Sequence, residues 1–235
     1  MTQHKTAFKS IDASPTELAF SVDGRRHVYP RAKLPSAFLD WVVEGRRAMY
    51  DHLEGKGTAS FFGVHLPVVV TYSRSEPIPF NTGNKGVGIV PVPDRIREYC
   101  DLYETTFEHC RELDWDPSLP RRLEAVRRFL DGGHVSNEAL VTLEIFEKRT
   151  FANLSDFPIA TLHFTGTGPV YRSFQVNAVV EILTPEHPAY RFAFLSRRLF
   201  EYDRFHITQT HFPFAYLFHP VEVRDKTPYA KRPSS

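Results

Sequence analysis

The residues best suited to chemistry in this 235-residue chain lie in one stretch, Phe146 to Pro158. Lys148, Arg149 and Thr150 follow a strand-like run there and precede a short helical turn carrying Asn153 and Leu154. Two cations, a hydroxyl and the free amides of a helix start are what a phosphate group needs. The same residues also fit an ordinary solvent-facing turn, and the sequence leaves both readings open. A glycine-rich segment, Asn81 to Gly88, offers backbone N–H groups with Lys85 as a cation. It lacks the phosphate-loop pattern of glycine, four residues, then Gly-Lys-Ser/Thr, so a plain loop is the simpler reading.

Histidine is the other reactive type. Of 11 histidines, His163, His187, His206, His211 and His219 fall late in the chain. His206 and His211 are spaced so that a strand would put their rings on opposite faces, which argues against a shared metal there. His219 and Glu222 supply an imidazole and a carboxylate, but a metal needs at least three convergent ligands. Tyr202, Asp203 and Arg204 precede His206, which makes His206 and Tyr202 the candidates for general acid–base chemistry. An Arg–Asp ion pair closing a loop is the competing reading. No Gly-x-Ser-x-Gly elbow occurs and neither cysteine stands in a reactive motif, which disfavours covalent hydrolysis. Cys100 and Cys110 share one predicted helix at ~15 Å separation, too far for a disulfide. Two thiols so placed fit a reducing compartment.

Composition bounds the rest. Hydrophobic residues are 42% and charged residues 24%, which excludes a disordered chain. A formal net charge of +1 gives no basic field for nucleic acid. The N-terminus opens on polar residues, and the longest apolar stretch, Val64 to Val70, is broken by His65 and Pro67. It is too short to cross a bilayer, so a cytoplasmic protein without membrane contact is expected.

The elements that must hold these residues can be read from periodicity. Leu18, Phe20 and Val22 alternate up to Asp23-Gly24, predicting a tight hairpin. Helical stripes run from Phe38 to Leu53, from Ile96 to Leu113 and from Leu119 to Leu130. Gly132-Gly133 ends the third. Arg121, Arg122, Arg127 and Arg128 lie mostly off that stripe, as a solvated face would. Ala59 to Tyr72 predicts one or two strands, and Ser73 to Pro93 a loop. From Glu138 onward the period becomes two. Strands are predicted at Ala139–Phe146, Ile159–Thr165, Tyr190–Leu195 and Phe212–Val223, with a short helix near Ser196–Arg204. The clearest is Phe174 to Ile182, where Phe174, Val176, Ala178 and Val180 point one way and Ser173, Gln175, Asn177 and Glu181 the other. The expectation is an α+β chain, 1–235, as a single domain. It would comprise a flexible tail at 1–15, a helix-rich α/β extension at 16–133 and an antiparallel β-sheet or barrel at 134–225.

The passage through Phe146 to Pro158 resembles the FMN-binding split β-barrel superfamily, which includes pyridoxamine-phosphate-oxidase-like proteins and flavin reductases. Members pass from a strand through a basic or hydroxyl-bearing turn and an Asn-Leu pair to a proline that opens the next strand. Thr150 stands where the oxidase branch carries a lysine; hydroxyl residues stand there in other branches. The resemblance, over about residues 135–225, implies a split barrel with packed helices, a homodimer and a bound FMN acting in a redox step on a small molecule. It implies that Lys148, Arg149 and Thr150 hold the phosphate, Asn153 fixes the turn, and Ser173 and Gln175 face the ring. Two other classes stay open: a non-enzymatic β-barrel module for a ligand or partner, and a metal-dependent enzyme using the late histidines.

Overall fold

The computed structural model describes residues 8–58, 64–167, 171–201, 209 and 211–228. Three short strands come first: β1 Asp12–Ala13, β2 Glu17–Val22 and β3 Arg25–Pro30. β2 and β3 form the predicted hairpin, with Val22 paired to Arg25. Its two-residue turn needs a left-handed backbone, and Asp23 (φ 50°) and Gly24 (φ 74°) supply it.

Helix α1, Ser36–Leu53, follows, with Pro35 as its N-cap. Gly45 interrupts its apolar stripe for a reason of space: a Cβ there would meet Val64 Cγ2 at 2.6 Å. Strands β4 Val68–Tyr72, β5 Phe80–Asn84 and β6 Gly88–Pro91 come next, then helices α2 Ile96–Cys110 and α3 Trp115–Asp131. The remainder is β7 Val135–Leu143, α4 Arg149–Asp156, β8 Ile159–Thr167, β9 Tyr171–Leu183, α5 Pro188–Leu199 and β10 Ala215–Asp225.

Seven strands form one antiparallel sheet in the order β5-β4-β8-β9-β10-β7-β6. Its two edge strands are joined by only Lys85, Gly86 and Val87. In a flat sheet those edges would stand six spacings apart, ~29 Å. The link from Asn84 to Gly88 reaches ~14 Å at most. The sheet is therefore rolled, and its two edges come together at this link. Hydrogen bonds from Val87 N–H to His65 O (3.0 Å) and from Thr142 Oγ1 to Gly86 O (2.8 Å) pin the link in place.

One face of the sheet carries the main core. Phe174, Val176, Ala178 and Val180 of β9 are buried there with Leu162 and Phe164 of β8, under Phe38 of α1. α2, α3 and α5 extend the same core. On the opposite face the hairpin packs Leu18, Phe20 and Val22 on Val179. The odd positions of β9 thus face away from the helices, as the alternation predicts.

Three expectations are corrected. The segment from Ser73 to Pro93 holds two strands rather than one loop. Tyr190–Leu195 is not a strand but the middle of α5, which also takes in Ser196 to Leu199 of the helix expected after it; residues 202–204 of that expectation lie outside the described residues. Pro188 in its first turn and His187, whose Nδ1 accepts the Ala189 N–H, start that helix, and both signals outrank the β-propensity of its aromatics. Arg122 is buried instead of solvated; it donates to Ser118 Oγ (2.9 Å) and to the carbonyl of Leu199 (2.7 Å). Both cysteines are free and buried, as their spacing predicts.

Candidate binding site

The odd-numbered face of β9 opens into a cleft of about 690 Å³. Tyr29, Val70, Tyr72, Phe80, Ile159 and Val221 wall it, and Thr161, Gln175, Asn177 and Glu222 form a polar floor. Tyr29 comes from the hairpin, so the small sheet β1–β3 supplies one wall. Tyr72 and Phe80, paired across β4 and β5 with ring centroids 6.0 Å apart, supply the other.

The floor is a connected set of hydrogen bonds. Asn177 Nδ2 donates to Glu222 Oε2 at 2.6 Å. Asn177 Oδ1 accepts from Thr161 Oγ1 (2.8 Å) and from Gln175 Nε2 (3.1 Å). Arg224 Nε donates to the other carboxylate oxygen, Glu222 Oε1, at 2.7 Å. Arg224, with Asn177 adding to it, holds the Glu222 carboxyl below the usual carboxylate range. Glu222 reaches this position through a β-bulge. Pro220 pairs with Ala178 but Glu222 pairs with Asn177, so Val221 is the extra residue.

Of the residues expected to face a ligand, Gln175 lies in the floor. Ser173 is buried beside it, its Oγ 3.1 Å from His163 Nε2. The residues expected to hold a phosphate lie elsewhere, around the start of α4. Thr150 Oγ1 accepts from Asn81 Nδ2 (3.1 Å), and Asn153 is buried and donates to Thr71 Oγ1 (3.0 Å). Arg149 is exposed and paired with Glu76 at 3.2 Å, and Lys148 lies over the exposed Phe146 ring. The two groups meet across β5, where Phe80 lines the cleft and its neighbour Asn81 holds Thr150. Arg74 fastens the same end of the fold, bonding Asp156 of α4 (2.6 Å) and Asp23 of the hairpin turn.

His206 and Tyr202, the acid–base candidates, lie outside the described residues, as do Asp203 and Arg204. His219 pairs with Glu181 (3.1 Å) rather than with Glu222. Among the described residues no three His, Cys, Asp or Glu side chains are grouped to hold a metal. Lys85 is not a free phosphate cation. Its Nζ donates to the buried Glu144 at 2.9 Å.

Thr161, Tyr72 and Phe80 were missed as site residues. The alternation of β8, with Ala160, Leu162 and Phe164 inward, already places Thr161 on the polar side. Nothing local marks Phe80, which reads as part of a loop.

No family model matches the sequence, and no curated protein matches it. Among solved structures, HupZ of Group A Streptococcus is similar at 12% identity and a TM-score of 0.40, over 72% of this chain and 90% of that one. An FMN-binding protein from Syntrophomonas wolfei subsp. wolfei is similar at 10% identity and a TM-score of 0.41, over 83% of this chain and 92% of that one. What the cleft can hold follows from its own lining. No helix among the described residues is long and apolar enough to cross a membrane.

Proposed function

We propose that the cleft binds a flat heteroaromatic ligand of the flavin class, with FMN as the specific candidate, in a split-barrel oxidoreductase acting on a small molecule. The observation that carries this reading is the pairing of aromatic and aliphatic walls with an amide-bearing floor in a cleft of about 690 Å³. That volume lies within the usual range for small-molecule sites, roughly 300–1,000 Å³. A flavin ring has an apolar dimethylbenzene end for Tyr72, Phe80 and Val70, and a pyrimidine edge for Gln175 and Asn177. When bound, the flavin supplies electron transfer, and the protein supplies binding, orientation and electrostatics. Lys148, Arg149 and Thr150 are the proposed phosphate contacts, reached over the β5 edge beside Phe80. Arg149 would exchange Glu76 for the phosphate.

A homodimer belongs to the same proposal. Phe80 (63% exposed) and Ile78 (75%) form an apolar rim beside the cleft that a second copy would cover. The second reading, a non-enzymatic binding module, is favoured by the floor's one carboxylate, Glu222, being engaged by Arg224. Titration of the protein with FMN, followed by quenching of flavin fluorescence, tests the binding. Saturable quenching is expected. Its absence up to millimolar protein would remove the flavin reading.

A further inference from the structure

The chemistry of each group fixes the hydrogen-bond sense of the floor. An ionised carboxylate only accepts, so the Asn177 atom facing Glu222 Oε2 at 2.6 Å must be the amide nitrogen. The other terminal atom of Asn177 is then its carbonyl oxygen, which accepts from Thr161 at 2.8 Å. Gln175, 3.1 Å from that oxygen, must turn its own nitrogen toward it. Its carbonyl oxygen then points away from Asn177. That oxygen has no hydrogen-bond partner among the described residues, and Gln175 lines the cleft. The β-bulge at Val221 brings Glu222 opposite Asn177; a regular strand would place Val221 there.

We propose that Glu222, acting through Asn177, is a positioning residue that fixes the Gln175 amide with its carbonyl oxygen toward the cleft. The cleft then selects ligands whose edge carries an N–H donor, as an imide or lactam does. The inference rests on the cleft being the binding site, but it does not require that the ligand be FMN. Arg224 supports the device by occupying Glu222 Oε1, which leaves Oε2 for Asn177. A ligand that offers only acceptors meets an oxygen facing it and loses the bond that the imide makes.

The test uses succinimide and N-methylsuccinimide as probes, which differ only at the N–H. Binding is followed by shifts of the Gln175 and Asn177 side-chain amide signals in nuclear magnetic resonance. In the native protein succinimide is expected to bind about tenfold more tightly than its N-methyl form. In Glu222→Gln, whose side chain can turn a donor toward Asn177, the preference is expected to fall to about twofold or less. Equal response to the two probes in the native protein, or no response to either, would overturn the proposal. So would an undiminished preference in Glu222→Gln. FMN titrated separately against the native protein decides the flavin reading, so the two can fail independently.

Discussion

Glu144 and Lys85 show how one buried carboxylate and its half-buried cation set the local structure on which a surface turn depends. The Glu144 side chain is 2% exposed. Its Oε1 accepts the N–H groups of Ile145 (3.1 Å), Phe146 (2.8 Å) and Glu147 (3.0 Å), and its Oε2 takes the Lys85 ammonium. These bonds hold Glu147 in a left-handed conformation, φ 45°, immediately before Lys148. Burial alone would raise the Glu144 pKa, but the Lys85 charge and the hydrogen bonds outweigh it and hold the carboxyl below its ordinary value. A depressed folded-state pKa contributes stability that is present above the unfolded value of ~4.3 and is lost as pH falls through the folded one. Acid should therefore loosen the turn at 144–147, with the chemical shifts of its amides following the titration. Lys85→Met leaves the carboxylate without its cation and is expected to cost about 3 kcal/mol in urea unfolding. In the sequence Lys85 looks like a free cation in a glycine-rich loop, because Glu144, its partner, is remote in the chain.

At the scale of elements, β9 and β10 were both legible as strands, but the bulge within β10 was not. A strand buried on one face writes its alternation directly into the sequence, and Phe174 to Val180 does so without a break. A bulge breaks the period-two rule at Val221, so His219 and Glu222 come to lie on the same face despite their odd spacing. α5 was misread because Tyr190, Phe192 and Phe194 also alternate; the capping by His187 was the stronger signal. The hairpin was legible from Asp23-Gly24, but its role as a wall of the cleft depends on contacts with a strand more than a hundred residues later. Phe20, stacked on His27 and set edge-on to Phe157, anchors it. Phe20→Ala should destabilise the protein by about 3 kcal/mol in thermal or urea unfolding. It should also weaken ligand binding, because Tyr29 loses its support. Arg122 joins the ends of α2 and α5 to α3 through backbone carbonyls. Arg122→Met is expected to cost about 2 kcal/mol by leaving those buried acceptors unpaired.

For the whole molecule, topology reveals what periodicity cannot. Strand order is decided by long-range pairing, so a barrel was expected only in outline, and neither the strand order nor the closing link at Lys85 to Val87 was legible in the periodicity. The position of the cleft follows from that roll and from the hairpin lying across one face of the sheet. The exposed rim at Ile78 and Phe80 carries the proposal of a dimer. Phe80→Asp should shift the protein toward monomer in sedimentation velocity with no loss of fold by circular dichroism; an unchanged assembly state would rule out this rim as the interface. A flavin-class ligand seated on the amide floor of β9 would depend on the Gln175 amide. FMN is titrated against the native protein and against Gln175→Met, which keeps the side-chain length and removes both polar atoms at a half-buried position. Affinity about tenfold weaker in the variant is expected at an unchanged melting temperature, as loss of a ligand-facing amide requires. Equal affinity in the two proteins would contradict it.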